Sequence, residues 1–212
     1  MSEFTSGNLI LAKNRNLVEE YRVEGMKISD LNSKWMVLLT EDVYIESEVP
    51  KYIIDISERT PIMYFFNYED HGWGYRIFHN GEEVSKLTID YELGYTMVLE
   101  KAEEKYTEED DIINFLHSSD IGREVYNEIV QEVINSSEYY SVVEKQFSHK
   151  NVENFKLFDI DGEDINKLID LLTIDNYSKI DQLLELVNVF KKIVHINEME
   201  WINYDCIDNL IN

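Results

Sequence analysis

The stretch PIMYFFNYEDHGWGYRIFHNGEEVSKLTIDYELG, residues 61–94, decides the fold. Its apolar run at 62–66 leads into Glu69-Asp70-His71-Gly72-Trp73-Gly74, and Tyr75-Arg76-Ile77-Phe78 leads out. Asn80-Gly81 follows. Both residues tolerate positive φ, which the favoured two-residue hairpin turn requires. From 84 to 91 apolar and polar residues alternate with the period of a half-buried strand. The stretch reads as an antiparallel β-meander whose first bend carries two carboxylates, a histidine, a tryptophan and two glycines. A tip held by a rigid hairpin is a place where binding residues gather.

Upstream, Trp35-Met36-Val37-Leu38-Leu39 is an apolar run bounded by polar residues and reads as a buried strand. Pro50 suits the first turn of a short helix, where a missing N–H is not felt, and Tyr52, Ile53 and Ile56 follow at helical spacing. Pro61 disfavours the α conformation of the residue before it, so this helix stops near Arg59-Thr60. The order is strand, helix, strand, strand, strand, with a helix laid on a mostly antiparallel sheet. Residues 14–30 fit strand and helix equally.

Beyond residue 94 only Gly122 and Gly162 interrupt the chain, and there is no proline. Long tracts without breakers suit helices. Thr107 with Asp110 resembles a capping box ahead of Ile112, Ile113 and Leu116. Ile121, Val125, Ile129 and Val133 recur every four residues until Asn135-Ser136-Ser137. Ser178 with Asp181 repeats the capping pattern, and Ile180, Leu183, Leu184, Val187, Phe190 and Val194 then form one apolar face. The fold class is α+β: a mixed part over 1–105 built on the meander, then an acidic, largely helical part over 106–212. The second part either packs on the first as one domain or extends from it, and in the latter case the hinge falls in the charged segment 100–111.

The 212 residues include 43 acidic and 19 basic side chains, a formal net charge of −24. Residues 1–100 hold 18 acids and nine bases, and residues 101–212 hold 25 and ten. A field of this sign repels nucleic-acid phosphates and anionic lipid heads and attracts cationic proteins. At 44% hydrophobic residues the chain has material for a core, so the charge does not imply disorder. Residues 9–12 form only a short apolar run without a basic segment before it, too short for a signal-peptide core or a membrane span. The expectation is a soluble, cytoplasmic protein.

Glu69-Asp70-His71 is the one place where carboxylates and an imidazole adjoin in sequence. In a turn such neighbours can converge on a metal or a water. Helical H-x-x-x-H spacing is absent, and His79 stands about 8 residues, or ~25 Å of strand, further on. The plainer reading is an aspartate hydrogen-bonding turn amides beside permissive glycines. Trp73 between two glycines either plugs the sheet or projects as a contact anchor. Asp159-Ile160-Asp161-Gly162 misses the EF-hand pattern, because glycine falls at loop position 4 and Asp170 stands at position 12, so it reads as a helix N-cap turn. Cys206 is the single cysteine and reads as a buried, inert thiol. No nucleophile elbow, Walker loop or dinucleotide fingerprint occurs.

The expected function is that of a non-enzymatic, acidic protein–protein interaction module, an inhibitor, immunity or adaptor protein with a basic protein partner. No catalytic residue, metal or cofactor is assigned. The candidate binding residues are Glu69, Asp70, His71, Trp73 and Tyr75. The alternative is a small hydrolase or metal-dependent enzyme centred on the 69–74 turn.

Overall fold

The structure is a computed structural model and describes residues 4–45, 47–68, 70–179 and 183–207. By Cα proximity the chain forms two compact units, residues 1–89 with 149–212, and residues 90–148. The 105/106 boundary drawn from glycine and proline spacing falls inside the second unit.

The first unit is built on a six-stranded sheet in the order β2-β3-β1-β4-β5-β6. Its strands are β1 (Phe4–Leu11), β2 (Lys27–Asp30), β3 (Trp35–Leu39), β4 (Ile62–Tyr68), β5 (Gly72–His79) and β6 (Glu82–Asp90). The pairings β1–β3, β1–β4, β2–β3 and β4–β5 are all antiparallel. The meander lies where its alternation placed it. Asn80 and Gly81, with φ of 54° and 78°, make the two-residue turn between β5 and β6.

One face of the sheet carries Ile10, Met36, Leu38, Ile62, Tyr64 and Phe78, covered by Val18 of α1 (Arg15–Glu19) and by Ile53 and Ile56 of α2 (Lys51–Ser57). Pro50 is the N-cap of α2, and the helix ends before Pro61, as proline chemistry requires. The other face carries Phe65, Trp73 and Tyr75 beneath Phe155 and Phe190. Here the cover comes from residues 152–158 and from α7 (Gly162–Leu171) and α9 (Leu183–Val194), with α8 (Ile174–Lys179) between them. Trp35 fixes the end of α9 by donating its indole N–H to the Val194 carbonyl at 2.9 Å. Beside β6, the Lys86 N–H reaches the His149 carbonyl (2.9 Å) and the Asn154 amide reaches the Val84 carbonyl (2.7 Å).

The second unit consists of α3 (Leu93–Lys105), α4 (Ile112–Ser118), α5 (Asp120–Ile134) and α6 (Ser137–Phe147). Val98, Ala102, Ile112, Leu116, Ile129 and Val133 form its core. Among the described residues no strand follows Asp90, in keeping with the breaker-poor sequence.

Several expectations are corrected in detail. The cap of α4 is Asp111, whose carboxylate accepts the Asn114 N–H at 2.9 Å, and not Thr107. Ser119 and Ser136 cap α5 and α6 in the same manner. Ile121 is 70% exposed, because it sits in the first turn of α5 and points away from the core that Ile129 and Val133 enter. Ser178 lies in the last turn of α8, and its proposed partner Asp181, like Ile180, is outside the described residues. Cys206 is exposed, in a turn where its N–H and that of Asp205 are held by the Asn203 side chain. Asp161 is the N-cap of α7, and the Asp164 N–H it accepts holds its carboxyl below the usual range.

No described helix is long and apolar enough to cross a membrane.

Candidate functional site

The bend between β4 and β5 is shorter than the sequence suggests. Tyr68 already pairs with Gly72, and the His71 N–H donates to the Tyr68 carbonyl at 2.7 Å. Glu69 is outside the described residues. Asp70 and His71 are exposed at the tip. Gly72, Trp73, Gly74 and Tyr75 belong to β5 itself.

The four described candidate residues therefore do not form one surface. Trp73 and Tyr75 are 0% exposed, on the face covered by α9, where Phe190 meets their rings at 4.9 and 5.5 Å. Trp73 is the plug of the two alternatives and not a contact anchor. Strand period two turns Trp73, Tyr75 and Ile77 together into the core, which a turn reading of 72–74 hides. Burial pushes the Tyr75 phenol well above the usual tyrosine range. Gly74 is needed for a different reason. Any Cβ there would collide with the Leu87 carbonyl of β6 and crowd the Phe66 ring at 2.8 Å.

What the tip does adjoin is an aromatic end of the sheet. Phe4, opposite Tyr68 in the register, stacks on it with ring centroids 3.9 Å apart, and is 49% exposed. The chain returns past this point: Ser6 N–H donates to the Ile202 carbonyl (2.8 Å) and the Asn203 amide to the Phe4 carbonyl (2.7 Å). Between those two anchors and Glu200 sits Trp201, 40% exposed with φ of 56°. A bulky residue in the left-handed region is an outlier that surrounding contacts must hold. No local sequence pattern links Phe4, Tyr68 and Trp201, which stand nearly 200 residues apart.

On the other face of β5, Arg76 ties down the chain at Tyr44 and Ser47. Its guanidinium donates to the Tyr44 and Ser47 carbonyls (2.7 and 3.1 Å) and its Nε to Glu83 (2.5 Å). Tyr44 beneath it donates its hydroxyl to Asn8, and burial raises its phenol well above the ordinary value. These groups satisfy one another, which marks them as a fastening for that stretch of chain. Among the described residues, no group of three or more His, Cys, Asp or Glu side chains is placed to hold a metal ion.

The second unit presents the other candidate surface. Its 59 residues hold 15 acidic and four basic side chains, net −11, and all of the acids but Asp90 are exposed. Lys101 and Lys105 converge on Glu132 at 3.0 and 2.6 Å and hold its carboxyl below the usual range, while Arg123 pairs with Asp120 at 3.0 Å. Glu100, Glu103, Glu104, Glu108, Glu109 and Asp110 make no ion pair among the described residues.

No family model, curated protein or solved structure matches the chain.

Proposed function

We propose that the chain is a non-enzymatic, cytoplasmic interaction protein of the inhibitor, immunity or adaptor kind that binds a basic protein partner. The observation that supports this reading is the dense, exposed negative charge of residues 90–148, most of it without an internal cation. Such a surface steers cationic proteins into encounter and repels phosphate backbones and anionic membranes.

The test is affinity capture at about 50 and 500 mM salt, followed by reconstitution with the purified captured protein. The expected partner has an isoelectric point above about 9, and the association rate drops by ten-fold or more across that salt range, as steered encounters do. A neutral or acidic partner, a rate indifferent to salt, or nucleic acid retained at physiological salt would each contradict the reading.

A further inference from the structure

The acidic unit also gathers rings on its surface. Tyr95 of α3, His117 in the last turn of α4 and Tyr126 of α5 form a row, with centroids 6.3 Å apart between the first two and 5.3 Å between the last two. The Tyr95 hydroxyl stands 3.5 Å from His117 Nε2. Tyr95 and His117 are exposed, and Tyr126 is half-buried against the core. Ile113, four residues before His117 and so on the same side of α4, is 50% exposed. The core of this unit is completed by Val98, Leu116, Ile129 and their neighbours, so Tyr95, His117 and Ile113 are not needed to fill it.

Exposed rings in so acidic a surface have a specific physical use. An aromatic face attracts a cation by its quadrupole, and the attraction grows when nearby groups exclude water. Carboxylates close by in the chain supply the matching charge. Glu92 precedes Tyr95 by one helical turn, and Glu109 and Asp110 precede Ile113 by one turn of chain. The one basic residue of α5, Arg123, is engaged by Asp120.

We propose that the Tyr95–His117–Tyr126 row, with Ile113 beside it, is the docking face for arginine side chains of the basic partner. A guanidinium lies flat on the exposed rings, and the acidic surface of the same unit attracts its charge. Arginine is favoured over lysine because its planar, weakly hydrated cation stacks on rings, whereas an ammonium holds its water. This inference rests on the basic-partner reading and adds where the partner sits and which cation it presents.

The experiment titrates the full-length chain, isotope-labelled, with an (Arg-Gly)6 peptide, the equally charged (Lys-Gly)6 peptide and a citrulline counterpart of the first. Expected are saturable shifts of the Tyr95, His117 and Tyr126 ring signals and the Ile113 methyls. The arginine peptide should bind about 3- to 10-fold tighter than the lysine peptide, and citrulline not at all. Replacing Tyr95→Ala and His117→Ala together should weaken the arginine peptide about 5- to 30-fold and erase its advantage over lysine. Should that double variant fold poorly, Ile113→Lys serves, and it should weaken the arginine peptide more than Tyr140→Lys, an equal charge change at an exposed site on α6. Shifts spread evenly over carboxylates, with arginine and lysine equal, would overturn this docking face and leave the basic-partner reading standing. If neither peptide nor any basic protein binds at low salt, both fall. Concentration-dependent dimerisation that shifts the same ring signals would assign the face to a second copy and overturn the proposal.

Discussion

In the sheet unit the fully enclosed side chains include Trp35, Trp73, Tyr75, Phe155, Phe158 and Phe190, with ring upon ring across the face that α9 covers. In the unit of residues 90–148 the enclosed side chains are Val98, Ala102, Leu116, Ile129, Val133 and Val143, and no aromatic ring there is fully buried. The charge runs the other way. The sheet unit spreads a net −13 over 153 residues, and the helical unit places −11 on 59. A large aromatic core contributes stability that salt barely alters, while a small aliphatic core under like-charge repulsion leaves a margin set by its surroundings. The second unit is therefore the part whose stability the proposed cationic partner would raise most, since binding to the folded form alone adds to its stability.

The comparison is broken most directly by core substitutions. Gly74→Val should prevent the sheet unit from folding, because β6 cannot yield to a branched side chain at its own carbonyl. Trp73→Ala should cost about 3–5 kcal/mol in chemical denaturation, the range for truncating an enclosed aromatic. Hydrogen exchange should then lose protection in β1, β4 and β5. Leu116→Ala, at about 2–5 kcal/mol, should strip α3 to α5 first. If either change deprotects all elements alike, the two units unfold as one and the contrast is void.

Alkaline titration separates them next. Burial raises the phenols of Tyr44, Tyr64 and Tyr75 in the sheet unit. Their folded forms keep a proton that the unfolded chain releases near pH 10, so their contribution is intact below that pH and is lost as pH rises above it. Denaturation midpoints of β-sheet signals at pH 8, 10 and 11.5 should fall in that order. A flat profile would show that water reaches these hydroxyls.

Salt should act on the other unit. Raising it from about 50 mM to 1 M shortens the screening length from over 10 Å to ~3 Å and should stabilise residues 90–148 by about 1 kcal/mol, read as slower amide exchange in α3 to α6. The sheet amides should change less. The smallest expected effect is at the helix starts: Asp111→Ala and Ser136→Ala each remove a side-chain acceptor from a first-turn N–H and should cost about 1 kcal/mol. Thr107→Ala, which caps nothing here, should be silent.

How far the sequence could be read tracks how local the cause is. The meander, the Asn80-Gly81 turn, the Pro50 helix and the run at Trp35 are all set by neighbours within a few residues, and each was legible. β1 was not, because its buried residues Thr5, Ser6 and Asn8 are polar and their compensation lies elsewhere: Asn8 donates to the Leu38 carbonyl at 3.1 Å and accepts from Tyr44. The candidate site was half legible. Glycine and charge located the tip at Asp70 and His71, but the side of the sheet that Trp73 and Tyr75 face depends on the register of β4 with β5. The ring row of Tyr95, His117 and Tyr126 draws on three helices and leaves no trace in spacing.

The arrangement also dictates an order of events during synthesis. The last strand ends at Asp90, yet Phe155 and Phe190, which cover Trp73 and Tyr75, come after the whole acidic unit. At about 5–20 residues per second, translating the 100 residues from Asp90 to Phe190 takes roughly 5–20 s. For that interval one face of the sheet is bare on the nascent chain, and the next segment to emerge is the most highly charged of the molecule. A ribosome-bound chain halted at residue 148 should accordingly bind a hydrophobic dye, and one carried to the end should not. The insertion of a strongly anionic segment between a sheet and its cover would then work as a built-in solubiliser, keeping unfinished copies on neighbouring ribosomes apart.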